Sequence, residues 1–314
     1  MSELKKGYTT GVHALLAFRS ALSLFLATKE TAVAKNQKID NDDLDVTKGA
    51  TIVVVISNQK TKLKLNPTPH KPYRYKNLQI FAGEGVGVVT KDGLKPPKGY
   101  PAINPTPLEA IFKYYELFAS SDRVYCSIGI EDGEKIAKDT ANKKVGVVGG
   151  LSILGTTGWV KPVSAEAYLN SIETELSVIK QTYKKVVFTL GNSSKREALK
   201  VYSEDEIVEI GNFIYDAILM AINLGLDVTL YIGIAKAVKI AQGFKNTHNR
   251  FGSIDFKELQ EWVREKWNVD LSGVVTVKAL CEMVDEVKFK KMVLSKSKKR
   301  LKEWFDKDID VRIL

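Results

Sequence analysis

The chain has 314 residues, 44% of them hydrophobic, with 47 Lys and Arg against 37 Asp and Glu for a formal charge of +10. This is enough apolar material for a buried core and enough length for two globular domains, which excludes a disordered chain. Two cysteines (Cys126, Cys281) and three histidines (His13, His70, His248) exclude a disulfide framework and leave little for a protein-bound metal. The apolar run "HALLAFRSALSLFLA" from His13 to Ala27 carries Arg19 and falls short of the roughly 18 uninterrupted residues of a membrane span. With no secretory signal in "MSELKKGYTT", a soluble cytoplasmic protein is expected, without a membrane partner.

In chain order, "KKGYTTG" opens into a helix over about Val12 to Thr28, apolar most of the way round and so expected to be buried. The polar "AKNQKIDNDDLDVTKGA" is a loop or edge connection, and "TIVVVIS" (Thr51 to Ser57) a strand. "TKLKLNP" alternates lysine and leucine and predicts a half-buried strand; "LQIFAG" is another. The stretch from Ala82 to Pro107, rich in Gly and Pro, has little periodicity and is too long for an idle loop. "LEAIFKYYELFAS" is an amphipathic helix and "RVYCSIGI" a strand.

From Lys144 the texture changes. "KVGVVGG" predicts a strand into a glycine turn, "SAEAYLNSIETELSVIKQTY" a helix with Ser164 at its N-cap, and "KVVFTLGN" a buried strand. "SEDEIVEIGNFIYDAILMAINLG" predicts one helix, then the strand "DVTLYIG", the helix "AKAVKIAQG", and a mostly helical end closing on the strand "DVRIL". Alternating strands and helices predict a parallel, doubly wound sheet. The expected organisation is α/β and α+β: an N-terminal α+β domain over 1–143 and a Rossmann-like doubly wound C-terminal domain over 144–314.

Ligands of such a sheet bind beyond the C-terminal ends of its strands. Three glycine-led loops leave strands there: "GGLSILGTTG", "LGNSSKRE" and "IGIAKAV". In the first, Gly149, Gly150, Gly155 and Gly158 do not give the G-x-G-x-x-G fingerprint. Gly150 to Gly155 has the gap of a phosphate-binding P-loop, but Thr156 stands where its lysine belongs, so triphosphate chemistry is not expected.

Seven segments in order, "GYTTG" (Gly7 to Gly11), "GEGVGVVTKDGL" (Gly83 to Leu94), "PAINPTP" (Pro101 to Pro107), "EDGEKIAKDT" (Glu131 to Thr140), "VGVVGGLSILGTTGWVKPVS" (Val145 to Ser164), "GNF" (Gly211 to Phe213) and "FKNTHNR" (Phe244 to Arg250), resemble the cobalt-precorrin-5B C(1)-methyltransferases of anaerobic cobalamin synthesis. The resemblance covers about residues 7 to 250. It implies an S-adenosylmethionine-dependent methyltransferase acting on ring carbon C-1 of a cobalt-bound, polycarboxylate corrinoid, with the cobalt arriving as part of the substrate. The positive charge suits such an anion.

The motifs carry the candidate binding residues. Thr9, Thr10 and Gly11 sit at a helix start, where free N–H groups and hydroxyls suit an anion or an ordinary cap. Glu84, beside Gly85, has three open roles: a ribose contact, a substrate contact or a lysine partner. Thr90 and Asn104 are ligand contacts or turn residues. Gly149 and Gly150 offer backbone N–H groups, and Ser152, Thr156 and Thr157 offer hydroxyls, beside the expected inter-domain crevice. Asn192 and Asn212 are contacts or caps, and Gly233 and Lys236 belong to the third loop. Asn246, Thr247, His248 and Arg250 suit acidic side chains, Arg in bidentate fashion. No catalytic side chain is assigned.

Four positions depart from the family pattern: Val12-His13 after "GYTTG", Tyr100 in place of an acidic residue, Leu108 in place of arginine, and "GIAK" without the usual histidine and second glycine. Those at Tyr100, Leu108 and the "GIAK" loop motivate one alternative, a non-catalytic relative that binds a tetrapyrrole or nucleotide. A basic nucleic-acid-binding protein is the other, resting on net charge and the cluster Lys288 to Arg300. A homo-oligomer is left open.

Overall fold

The structure is a computed structural model and describes residues 7–38, 47–118, 122–155, 158–160, 165–267, 269, 273–274 and 276–314. The chain divides into two compact units, Met1–Ala167 and Tyr168–Leu314. The first holds β1 (Gly7–Tyr8), α1 (Thr10–Thr28), β2 (Ala32–Gln37), β3 (Thr51–Ser57), β4 (Tyr73–Tyr75), β5 (Leu78–Ala82), β6 (Gly85–Val86), β7 (Val88–Val89), α2 (Pro105–Glu116), β8 (Val124–Ile130), α3 (Gly133–Ala137), β9 (Val147–Val148), β10 (Gly150–Leu151) and β11 (Trp159–Val160).

The alternation of "TIVVVIS" places Ile52, Val54 and Ile56 on one face, all fully buried. The five-stranded sheet runs β2-β3-β8-β5-β4, antiparallel except for the parallel pair β5–β8. That face, with Leu78, Ile80, Val124, Cys126 and Ile128, forms one core with Ala14, Phe18, Ala21 and Leu22 of α1 and Ile111 and Tyr115 of α2. Helix α1 is long and apolar enough, by length and composition, to cross a membrane, but half of it is buried inside the protein. Its apolar girth is that of a core helix. Burial pushes the Cys126 thiol pKa up, so this cysteine packs as an inert hydrophobe.

The second unit holds α4 (Ala165–Ile179), which begins just before the boundary, β12 (Lys185–Thr189), α5 (Asn192–Ala198), β13 (Ile207–Glu209), α6 (Ile214–Asn223), β14 (Asp227–Ile232), α7 (Ile234–Ala241), α8 (Phe256–Trp267), α9 (Val277–Met283), α10 (Glu286–Phe305) and β15 (Asp310–Ile313). Its four strands are all parallel, in the order β13-β12-β14-β15. One cluster joins Val186, Phe188, Leu230 and Val311 of the sheet to Leu176, Ile218, Phe289 and Val293 of α4, α6 and α10. On the other face Val187, Ile207 and Tyr231 pack with Ala198 of α5.

Three local expectations are corrected. "TKLKLNP" is no strand: Lys60–Lys62 is a 3-10 turn, and only Leu65 makes an isolated bridge, to Gly83. The single helix expected over 203–225 is split. Ser203 and Glu206 form a capping box on a 3-10 turn, "IVE" becomes β13, and the chain turns at Gly211 before α6. Apolar Ile207 and Val208 enter the sheet because β12 offers an open edge, which local propensity does not register. The strand expected after Lys144 is two two-residue pieces that pair with β7 and β6, so it closes the first unit and does not open the second.

The basic run on α10 buries Phe289, Met292, Val293, Ser297 and Leu301 and pairs Lys290 with Glu286, Lys288 with Asp285 and Arg300 with Glu303. It is the solvated side of a packed helix.

Candidate functional site

In the first unit two helix N-termini meet on one segment. The Gly11 N–H at the start of α1 donates to the Leu154 carbonyl at 2.8 Å, and the Asn104 N–H at the start of α2 donates to the Ile153 carbonyl at 3.0 Å. A β-carbon on Gly11 would lie 2.9 Å from both the Leu154 oxygen and the Pro107 side chain, so α1 and α2 touch there. The Thr10 hydroxyl, buried, accepts the Leu154 N–H at 2.8 Å and donates to its carbonyl at 3.3 Å. Thr10 and Gly11 therefore tie the motif down.

Beside them, Thr9 has a buried hydroxyl with no hydrogen-bond partner among the described residues. Asn104 and Ser152 are half-buried, and neither side chain has a partner among the described residues. Tyr8 and Trp159 pair across β1 and β11 with ring centroids 4.5 Å apart, and they are 37% and 51% exposed. Leu154 is also exposed. The surface thus joins an aromatic face to the positive ends of two helices. Sequence reasoning missed Tyr8, Trp159 and Leu154, although each lies inside a quoted motif. Thr156 and Thr157 lie outside the described residues.

The glycine motifs behind this surface interlock. A β-carbon on Gly150 would overlap the Gly85 carbonyl oxygen; one on Gly85, at φ +77°, would overlap that of Ile130. A β-carbon on Gly149 would lie 2.5 Å from Asn66 Nδ2, which donates to the Val86 and Gly149 carbonyls at 2.7 and 2.9 Å. Asn66 and neighbouring backbone thus crowd Gly149, Gly150 and Gly85. Thr90 ties its segment to a distant one, its N–H and its hydroxyl both donating to the Gly146 carbonyl, at 2.7 and 2.9 Å. Glu84 is exposed and has no ion pair among the described residues.

In the second unit the strand order reverses between β12 and β14. Their C-terminal ends lead into Gly191 and Gly233, and among the described residues no atom beyond the adjacent chain lies within 4 Å of a β-carbon built on either. Lys236, on α7, reaches the Leu190 carbonyl at 3.5 Å. Burial, and then Lys239 nearby, lowers the Lys236 pKa. Ser194 shapes the turn, accepting the Leu190 N–H and donating to the Gly191 carbonyl, both at 2.8 Å. Asn192 is exposed at the start of α5.

The "NTHNR" turn is built on Lys239. This lysine, 5% exposed, donates to the Thr247 and Gly252 carbonyls and to Asn249 Oδ1 at 3.1, 2.9 and 2.8 Å. Asn212 accepts the Thr247 hydroxyl at 2.9 Å, joining this turn to "GNF". Asn246 Oδ1 accepts the His248 N–H at 3.0 Å, and His248 Nδ1 accepts the Arg250 N–H at 3.1 Å. Arg250 stays exposed with its guanidinium 4.6 Å from the Phe251 ring centre.

The departures from the family pattern take structural places. His13 is buried against Asn36, Leu108 enters the core, and Tyr100 packs on Tyr73 with centroids 5.1 Å apart. Among the described residues no three His, Cys, Asp or Glu side chains gather as metal ligands.

A family profile described as CbiD matches residues 25–162. The chain is 35% identical to a protein of Methanocaldococcus jannaschii, over 78% of this chain and 73% of that one. It is 36% identical to one of a Thermoanaerobacter species over 79% and 72%, and 30% identical to one of Fusobacterium nucleatum over 98% and 91%. All three are named cobalt-precorrin-5B C(1)-methyltransferase. A crystal structure of a cobalamin biosynthesis protein from Archaeoglobus fulgidus is 24% identical, covering 83% of this chain and 84% of that one at a TM-score of 0.37. The mixed α/β chain thus falls in a methyltransferase class, and it belongs to the cobalt-precorrin-5B C(1)-methyltransferase, or CbiD, family.

Proposed function

We propose that this chain transfers a methyl group from S-adenosylmethionine to C-1 of cobalt-precorrin-5B, giving cobalt-precorrin-6A in the anaerobic route to cobalamin. The observation that carries this is the identity, over most of the chain, to proteins named for that reaction. When bound, S-adenosylmethionine supplies an electrophilic methyl group on a sulfonium sulfur. The attacking carbon belongs to the corrinoid, and the cobalt comes with it. The protein's work is to hold methyl and carbon in line at about 3–3.5 Å, a positioning effect worth up to about 7–11 kcal/mol in the best intramolecular cases.

The residues present fit both ligands. We read the second unit as a Rossmann-like domain, whose parallel sheet offers a crevice where the strand order reverses, with open backbone at Gly191 and Gly233 and the Lys236 cation beside them. A donor with a nucleoside and a carboxylate suits that crevice. In the first unit, the Tyr8–Trp159 face suits a flat apolar ring system. Thr9, Asn104 and Ser152, with the two helix N-termini, suit the carboxylates at its rim. Glu84, exposed and without an ion pair among the described residues, has the charge to meet a hydroxyl or ammonium group.

Titration calorimetry with S-adenosylhomocysteine tests the donor site. One molecule should bind per chain, and Lys236→Met should weaken it at least fivefold. A folded protein that shows no binding would contradict a methyl-transfer function and favour a non-catalytic relative.

A further inference from the structure

We infer that the helix-free face of the first unit's sheet carries a second anion site, for a small molecule bearing several phosphate or carboxylate groups. The register builds it. Arg74 of β4 lies opposite Gln79 of β5, and Gln79 lies opposite Tyr125 of β8. Arg74 and Gln79, directly opposed in an antiparallel pair, stand about 4.5–5.5 Å apart at Cβ. Tyr125, in register on the parallel neighbour, continues the row, so guanidinium, amide and phenol lie side by side across three strands. Their chain neighbours Tyr75, Leu78, Ile80, Val124 and Cys126 belong to the core beneath α1 and α2, so the row faces the other way.

Two more cations complete the site. Arg123 immediately precedes β8, and Lys60 leans over the Phe81 ring with Nζ 4.8 Å from its centre. All five residues line one cavity of about 560 Å³, which is in the usual range for a small-molecule pocket. His70 is a fixed wall of it, its Nδ1 2.7 Å from the Thr68 carbonyl and its Nε2 accepting the Ala82 N–H at 3.1 Å.

The charge is uncompensated. Lys76, also in the wall, is paired with Glu116 at 2.9 Å. Among the described residues no carboxylate pairs with Lys60, Arg74 or Arg123. Three cations around one concave surface repel each other and focus a positive potential into it. A multiply charged anion offsets that repulsion, and two arginines give it forked, geometrically selective contacts. Helix α1, whose N-terminus carries the Tyr8 surface, packs on the opposite face of the sheet, so this site is separate from that surface.

Calorimetry with pyrophosphate and with propane-1,2,3-tricarboxylate tests the inference on three proteins: wild type, Arg74→Gln/Arg123→Gln, and the control Lys298→Gln/Lys299→Gln on α10, which removes the same charge. All four side chains are exposed, and circular dichroism checks that both variants fold. At least one anion should bind the wild type in a 1:1 ratio, at least tenfold more weakly to the arginine variant, and unchanged to the control. The anion that binds identifies the ligand as phosphate-bearing or carboxylate-bearing. Binding of neither at millimolar concentration, or equal loss in the control, overturns the site. Binding of a random oligonucleotide that only the arginine variant loses would assign the face to nucleic acid and likewise overturn it.

Discussion

The Thr10 hydroxyl and the Leu154 backbone bind each other twice across 144 residues of chain, accepting at 2.8 Å and donating at 3.3 Å. One buried side chain thereby fixes the start of α1 to the loop that also receives the start of α2. Thr10→Val keeps the shape and leaves the Leu154 N–H unpaired, at a cost of about 1–3 kcal/mol. Thr10→Ser keeps the hydroxyl and should recover most of that. Urea unfolding of the two variants checks it; equal stabilities would mean the hydroxyl does not hold the loop.

Gly150 and Gly85 make a sharper constraint, because backbone and not a movable side chain fills the space. Gly150→Ala would drive its methyl group into the Gly85 carbonyl. The loss should exceed about 3 kcal/mol, at the upper end of overpacking penalties. Gly191→Ala, at φ +128° and ψ 179° but facing open space, carries only the cost of its backbone conformation, of order 1–3 kcal/mol. Thermal unfolding should rank them in that order.

His13 should make the first unit sensitive to mild acid. Burial lowers its pKa below the usual 6.5; the contact with Asn36 acts against this, and Lys38 adds to it. The unfolded chain takes up a proton below about pH 6.5 that the folded chain refuses. Stability present above that pH is therefore lost as pH falls toward the lowered folded value. Urea midpoints between pH 7.5 and 5 should fall more for wild type than for His13→Gln. Parallel profiles would show that His13 does not titrate with folding.

Trp159→Ala should raise KM for the corrinoid at least fivefold and leave the binding of S-adenosylhomocysteine within twofold of wild type. Asn104→Ala, whose amide has no hydrogen-bond partner among the described residues, should lower turnover at least tenfold with an unchanged melting temperature. Steady-state kinetics and calorimetry separate the two effects. Wild-type kinetics in both would remove this surface from the site.

Much of the architecture was legible because burial period and strand length agree, as in "TIVVVIS", "KVVFT" and "DVTLYI". β13 was not, because three residues after an acidic turn carry too little periodicity to distinguish strand from helix. The glycine motifs were visible as motifs, but what each glycine meets was not. Gly85 and Gly150 touch each other 65 positions apart, a proximity no local pattern encodes. Thr10, Asn212 and Thr247 stood among the candidate contacts and bond to the protein itself. Lys239 was invisible because a lysine on the apolar side of α7 makes sense only once the carbonyls of Thr247 and Gly252 are placed around it. Tyr8 and Trp159 were passed over because aromatic residues usually pack inside, and their exposure is a property of the fold.

The proposed activity is methyl transfer to the corrinoid. Anaerobic incubation of the purified protein with cobalt-precorrin-5B and methyl-labelled S-adenosylmethionine tests it most directly. The expected result is one labelled methyl per macrocycle, located at C-1 by nuclear magnetic resonance, with release of S-adenosylhomocysteine. A folded protein that leaves the macrocycle unlabelled, or labels another carbon, would contradict it.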